Sequence, residues 1–312
     1  MSELPSPSIE IEKGEVESRF GDKEKIVEIM RDGSVEVLGN IEEIVDDVPG
    51  HENIVKMVKV GSPNRNQVIA VKVQKEGETM FCIFKPADGE NPKVKELTTV
   101  KEFYPRECAA YLISEHFSFD VVPPTIIREV DGKIGALQLF LDHETHMNYS
   151  KLDDAGFIEA HDSNDWGQIA VLDWILANCE RHEENMMVEK SEPSKLFAID
   201  HGIILNSSNY LEMALRGPSL QLTMKTRKNE NGATIDHTLE NTLPDFIIQK
   251  LRSGLNNHQV LTEKLKEIGI PENEINSFWA RVADIYQAGK YLSKYNYDSI
   301  MGEHLWGNRS AR

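Results

Sequence analysis

Asn185 and Asp200 stand fifteen residues apart, separated by two short apolar runs, Met186-Met187-Val188 and Leu196-Phe197-Ala198-Ile199, with a Ser/Pro turn between them. Two paired strands of that length would bring the amide and the carboxylate to neighbouring strand ends. Oxygens of these types are hard ligands for a divalent cation such as Mg²⁺ or Mn²⁺, and a cation held there can also hold phosphate oxygens. The polar cluster Glu180, Arg181 and His182 lies just before Asn185, behind an apolar lead-in, Ile175-Leu176-Ala177, that predicts a buried helix. Far upstream, Lys85 ends an apolar strand pattern, a place where an ammonium needs partners. ATP phosphates on one side and a helix carboxylate on the other would supply them, and Glu107, early in the amphipathic stretch 105–116, is the expected carboxylate. Taken singly, an Asp-x-Gly turn or a lysine before a strand-ending proline is ordinary structure. The ordered set points to phosphoryl transfer.

The elements that must position these residues can be read from periodicity. Residues 23–31 carry a helical stripe of Ile26, Ile29 and Met30, and 34–38 alternate like a strand. Strands are predicted over 54–60, 67–73 and 79–84, joined by the loops 61–66 and 75–78. In the helix over 105–116, Ala109, Leu112 and Ile113 are expected to face the sheet. The two prolines of 121–125 lead into a strand over 125–129, and Asp131-Gly132 turns it into another over 136–141. Residues 143–165 read as polar and irregular, and their histidines 143, 146 and 161 as solvated residues, not metal ligands. Helices follow over 243–253, 259–268 and 272–295, with Pro271 opening the last. The fold class is therefore α+β and bilobal. A mobile acidic segment over 1–20 precedes a β-rich N-lobe over 21–142 and an α-helical C-lobe over 143–312, with a nucleotide cleft between the lobes.

Four ordered motifs carry a family resemblance: Lys85-Pro86, Arg106-Glu107-Cys108-Ala109-Ala110-Tyr111, Val122-Pro123-Pro124-Thr125 and Ile199-Asp200-His201-Gly202. With Asp173, Asn178, Arg181-His182 and Asn185 they resemble the phosphatidylinositol 3-/4-kinase-like branch of the protein-kinase superfamily, in particular its small bacterial members. The resemblance implies a protein-kinase-like fold, with Asn185 and Asp200 as the Mg²⁺ ligands and Arg181-His182 as the Arg-His of the catalytic loop. It implies a phosphate-covering role for the loop that holds Ser62, Asn64 and Asn66, and an adenine-binding hinge with backbone groups near Leu139 and Leu141. His182 would steady transition-state charge or handle the acceptor proton, and Asp173 would brace the loop or serve as an alternative base. The chain departs from the pattern at Glu180, where the family has Asp. One extra methylene moves a carboxylate by about 1 Å, enough to cost on the order of 10²-fold in rate.

Composition narrows the partners. The net charge of −18, with 15 acidic against 7 basic residues in the first sixty, works against nonspecific nucleic acid or anionic membrane binding. The run Lys225-Thr226-Arg227-Lys228 is the one short basic segment, and it reads as a solvated loop. No stretch approaches a membrane span, and an acidic start lacks the features of a secretory signal. Three cysteines, widely spaced, fit reduced thiols in a cytoplasm. The sequence thus favours an ATP- and Mg²⁺-dependent phosphotransferase acting on a protein or soluble small molecule. Two alternatives stay open: a pseudokinase acting through nucleotide or protein contacts, which Glu180 favours, and a nucleotidyl transferase using the same metal site.

Overall fold

A computed structural model of the chain describes residues 18–40, 66–98, 100–178, 181–205, 224–228, 234–238 and 242–291. Helix α1 (Lys23–Asp32) starts where the Asp22 carboxylate accepts the Lys25 amide at 3.0 Å, and it buries Ile29 and Met30 as its stripe predicts. These residues cover one face of an antiparallel five-stranded sheet of order β1-β2-β3-β5-β4. Its strands are β1 (Ser34–Asn40), β2 (Ile69–Lys75), β3 (Glu78–Pro86), β4 (Thr125–Val130) and β5 (Lys133–Leu139). Period-two alternation turns Val71, Val73, Cys82, Phe84 and Leu137 inward against α1. The Asp131-Gly132 hairpin forms as expected, with both residues at positive φ. The strand expected over 54–60 lies outside the described residues.

Between β3 and β4 run α2 (Pro92–Thr98) and α3 (Tyr104–His116). The expectation that Ala109, Leu112 and Ile113 pack toward the sheet is corrected. They join Phe117, Trp166, Ile169 and Phe278 in the core of the helical lobe, which is separate from the sheet's own core. Because α1 already covers the apolar face of the sheet, α3 touches the strands through its flank, with the Cys108 thiol 3.5 Å from the Thr125 carbonyl.

The second lobe is helical around a small sheet of order β6-β7-β8, made of β6 (His146–Asn148), β7 (Met186–Glu189) and β8 (Glu192–Ala198). The stretch 143–165 is thus more ordered than its polarity suggests. It holds β6 and helix α4 (Asp154–His161), which buries Phe157 and Ala160. Helix α5 (Asn164–Leu176) is capped by Ser163, whose hydroxyl accepts the Trp166 amide, and is buried along nearly its whole length. The basic run expected as a loop is instead strand β9 (Met224–Lys228), paired with β10 (Thr234–Thr238). Helices α6 (Asp245–Asn256), α7 (His258–Glu267) and α8 (Glu272–Ala288) complete the lobe. The last ends earlier than its pattern implied, at Gly289 in the left-handed region. Among the described residues no helix is long and apolar enough to cross a membrane.

Candidate active site

Lys85 sits one residue before the end of β3, opposite Ala136 on β5. The neighbouring pair is Pro86 with Gly135, and a Cβ at Gly135 would stand 2.4 Å from the Lys85 carbonyl, so the strands can approach there because that residue has no side chain. The Lys85 ammonium, 18% exposed, donates to Glu107 Oε1 at 2.5 Å and to Asp200 Oδ1 at 3.0 Å. Glu107, from the first turns of α3, is 3% exposed, and its second oxygen accepts the His201 amide at 2.9 Å. Burial opposes the Lys85 charge, but Asp200 and Glu107 outweigh it and raise its pKa. Lys85 in turn holds the Asp200 carboxyl down to about 2, whereas burial raises Glu107 against the pull of the same ammonium. At neutral pH Asp200 is ionised, and its side chain is 49% exposed. It takes φ +60°, a backbone region that Asp tolerates better than most residues.

The paired-strand reading of the Asn185 to Asp200 stretch matches the geometry. Met186 lies opposite Ala198, and the Ile199 amide donates to the Asn185 carbonyl at 3.1 Å, so both candidate ligands leave the same end of the β7–β8 ribbon. Asn185 is buried at the end of a single 3-10 turn that His182 opens, and His182 itself is exposed.

Arg181 and Asp173 take another part. Helix α5 ends where Ala177 enters the left-handed region, and Asp173 on its last turns points at the loop beyond. Asp173 accepts from Asn178 Nδ2 at 2.8 Å and from Arg181 Nε at 3.0 Å. The rest of the Arg181 guanidinium donates to the carbonyls of Asn185 and Ile199, at 2.5 and 2.8 Å, and to His201 Nε2 at 2.7 Å. Arg181 and Asp173 are both fully buried, so they brace the ribbon and do not face a cleft. Since a guanidinium can only donate, His201 is neutral with its proton on Nδ1, in keeping with burial and the Arg181 charge, which hold its pKa well below the usual range.

The hinge expectation is adjusted. The Leu139 and Phe140 amides are spent on the carbonyls of Pro124 and Phe81, at 2.9 and 3.0 Å, which leaves Leu139 no free N–H for an adenine ring. Its side chain packs with the sheet core, while Leu141 packs with Met187 and Phe197. Ser62, Asn64 and Glu180 lie outside the described residues.

Four contacts, from three segments, escaped sequence reasoning. Glu90 caps α3, accepting the Phe103 and Tyr104 amides at 2.8 and 2.7 Å. Arg106 reaches Glu274 on α8. Arg19, in a segment expected to be mobile, is paired with Asp165 at 2.5 and 2.8 Å, and Phe20 packs on Phe197 at 5.4 Å. The last was legible in principle, because an Arg-Phe pair in an otherwise acidic segment is out of character with it.

Residues 74–228, which run from β2 through β9 and hold every described candidate side chain, match the family described as "Phosphatidylinositol 3- and 4-kinase". Residues 74–228, about half of the chain, thus form a phosphatidylinositol 3-/4-kinase-like domain. The chain is 32% identical over 161 residues to Phosphatidylinositol 4-kinase gamma 4 of Oryza sativa subsp. japonica, covering 41% of this chain and 27% of the plant protein. It is 25% identical over 171 residues to Protein Rv2133c of Mycobacterium tuberculosis, covering 45% of this chain and 59% of that protein. The kinase-like chain thus spans well under two thirds of the plant kinase it matches. Among solved structures, the Helicobacter pylori proinflammatory kinase CtkA aligns over 80% of this chain and 96% of its own, at 13% identity and a TM-score of 0.38.

Proposed function

We propose that the chain is an ATP- and Mg²⁺-dependent phosphotransferase, cytoplasmic, whose acceptor is a protein or a soluble small molecule. The observation that carries this reading is the meeting of Lys85, Glu107 and Asp200 beside the end of the β7–β8 ribbon that bears Asn185. The donor set suits the metal: a half-exposed carboxylate held ionised and an amide oxygen are hard ligands, and Asn185 with Asp200 would hold Mg²⁺ or Mn²⁺. When bound, the ion neutralises charge on the phosphoryl oxygens. Lys85 would exchange its bond to Asp200 for nucleotide phosphates while keeping Glu107. His182, exposed at the mouth of the turn, is the described residue best placed to meet an acceptor, with Glu180 as the orienting carboxylate. Arg181 and Asp173 act by holding the ribbon.

The acceptor follows from charge. A kinase working on an anionic bilayer gains about 1 kcal/mol for each Lys or Arg near the surface. This chain has net charge −18, so the lipid for which its plant relative is named is not the acceptor expected here. A pseudokinase remains the second reading, favoured by Glu180 at the family's Asp position and by the bond from Lys85 to the candidate metal ligand.

Mass spectrometry of the protein and of added acceptors after incubation with ATP and Mg²⁺ tests the proposal. Transfer of phosphate supports it, transfer of AMP indicates a nucleotidyl transferase, and no transfer indicates a pseudokinase. Labelled ATP supplied with phosphatidylinositol vesicles and, separately, with soluble extract decides the acceptor. Preferential labelling of the lipid, abolished by Asp200→Ala, would overturn the soluble-acceptor reading.

A further inference from the structure

Arg106 precedes Glu107 on α3, so the two side chains leave the helix in different directions. Its guanidinium donates to the Ile204 carbonyl at 2.6 Å and to Glu274 Oε1 at 3.1 Å, and it lies 2.8 Å from Glu274 Oε2. Ile204 stands four residues beyond Asp200, and Glu274 belongs to the first turn of α8. Arg106 and Glu274 are both buried. Burying two charges carries a desolvation cost that an apolar pair of similar volume avoids. What a forked guanidinium adds in return is direction: it fixes a carboxylate and a carbonyl at set angles.

Two further observations show what that direction serves. Helix α3 packs by Ala109 and Ile113 into the core of the helical lobe, apart from the sheet core. The His201 amide, in the turn just after Asp200, donates to Glu107 Oε2 at 2.9 Å. Glu107 and the turn that bears Asp200 are therefore tied to the same lobe, while Lys85 belongs to the sheet.

We propose that Arg106 is a positioning residue: by joining Glu274 and the Ile204 carbonyl, it holds Glu107 and the Asp200-His201 turn as one body against which Lys85 docks. Movement of one lobe on the other then changes the distance from Lys85 to both carboxylates together and leaves the carboxylates fixed relative to each other. The link from this body to nucleotide binding rests on the function proposed above.

The His201 amide, which donates to Glu107 Oε2, reports the geometry without any nucleotide. Hydrogen exchange is measured on the wild type, on Glu274→Gln and on the double variant Arg106→Met with Glu274→Leu, using the Leu172 amide of α5 as internal reference. The double variant removes both buried charges, so it should melt at or above the wild-type temperature. Its His201 amide should nevertheless exchange roughly tenfold faster or more, relative to Leu172, and the melting shift produced by ATP with Mg²⁺ should shrink. Glu274→Gln should change both readouts in the same direction, and it carries the comparison if the double variant fails to fold. Unchanged relative exchange at His201 in the folded variants would overturn the inference. If the wild type shows no melting response to ATP with Mg²⁺, the nucleotide reading fails while the exchange comparison still decides the role of Arg106.

Discussion

Replacing Asp173 by Asn separates bracing from chemistry. Asp173 and Arg181 have side-chain exposures of 0% and 1%, and the carboxylate carries the Arg181 Nε bond at 3.0 Å together with that from Asn178 at 2.8 Å. Asn keeps the volume, but it replaces one acceptor oxygen by a donor facing a guanidinium that can only donate. Breaking a buried pair by removing one partner costs about 3–5 kcal/mol, because the other charge is left buried and uncompensated. At about 2–4 °C per kcal/mol for a chain of this order, the melting temperature should fall by about 6–20 °C. Asp200→Asn is the contrast. Its side chain is half exposed, Lys85 keeps Glu107 when it is lost, and stability should change by less than about 1 kcal/mol while transfer is abolished. Both variants are followed by thermal and urea melts, with phosphate transfer measured per folded molecule. The reasoning is refuted if Asp173→Asn melts within about 2 °C of the wild type and has lost transfer, since Asp173 would then act on the reaction and not on the loop.

Other outcomes follow from the same geometry. Gly135→Ala would place a methyl 2.4 Å from the Lys85 carbonyl and 2.8 Å from the Phe84 ring, forcing β5 away from β3, with an expected loss of about 1–3 kcal/mol and weaker nucleotide binding in calorimetry. The Lys85–Asp200 pair depresses Asp200 from 3.8 to about 2, so its contribution to stability is full above pH 3.8 and fades as the pH falls through about 2. The stability gap between wild type and Lys85→Met, read by urea melts across pH, should therefore narrow as the pH falls through that acid window. Glu180→Gln should lower turnover by on the order of 10²-fold with ATP affinity retained, and Glu180→Asp should keep or improve it. Equal turnover of Glu180→Gln and wild type would move the acceptor role to His182.

Much of the candidate site's placement was legible because its determinants are local. A lysine closing an apolar strand, a glutamate early in the next helix, and an amide and a carboxylate bounding a hairpin are set by periodicity and turn chemistry over a few residues each, and the strand register then brings Asn185 beside Ile199. The sequence could also name Arg181 and Asp173 as members of the site. It could not say that they face inward, because the direction of a side chain at the end of a helix depends on what packs above it. Tertiary structure decided that Ala109 and Ile113 join the helical lobe, since α1 had already covered the sheet. It also decided that Arg106 meets Glu274 across 168 residues and Arg19 meets Asp165 across 146. No local pattern encodes such pairs, for each forms only after the apolar faces have chosen their partners, and the buried charges then take the positions that the packed cores leave them.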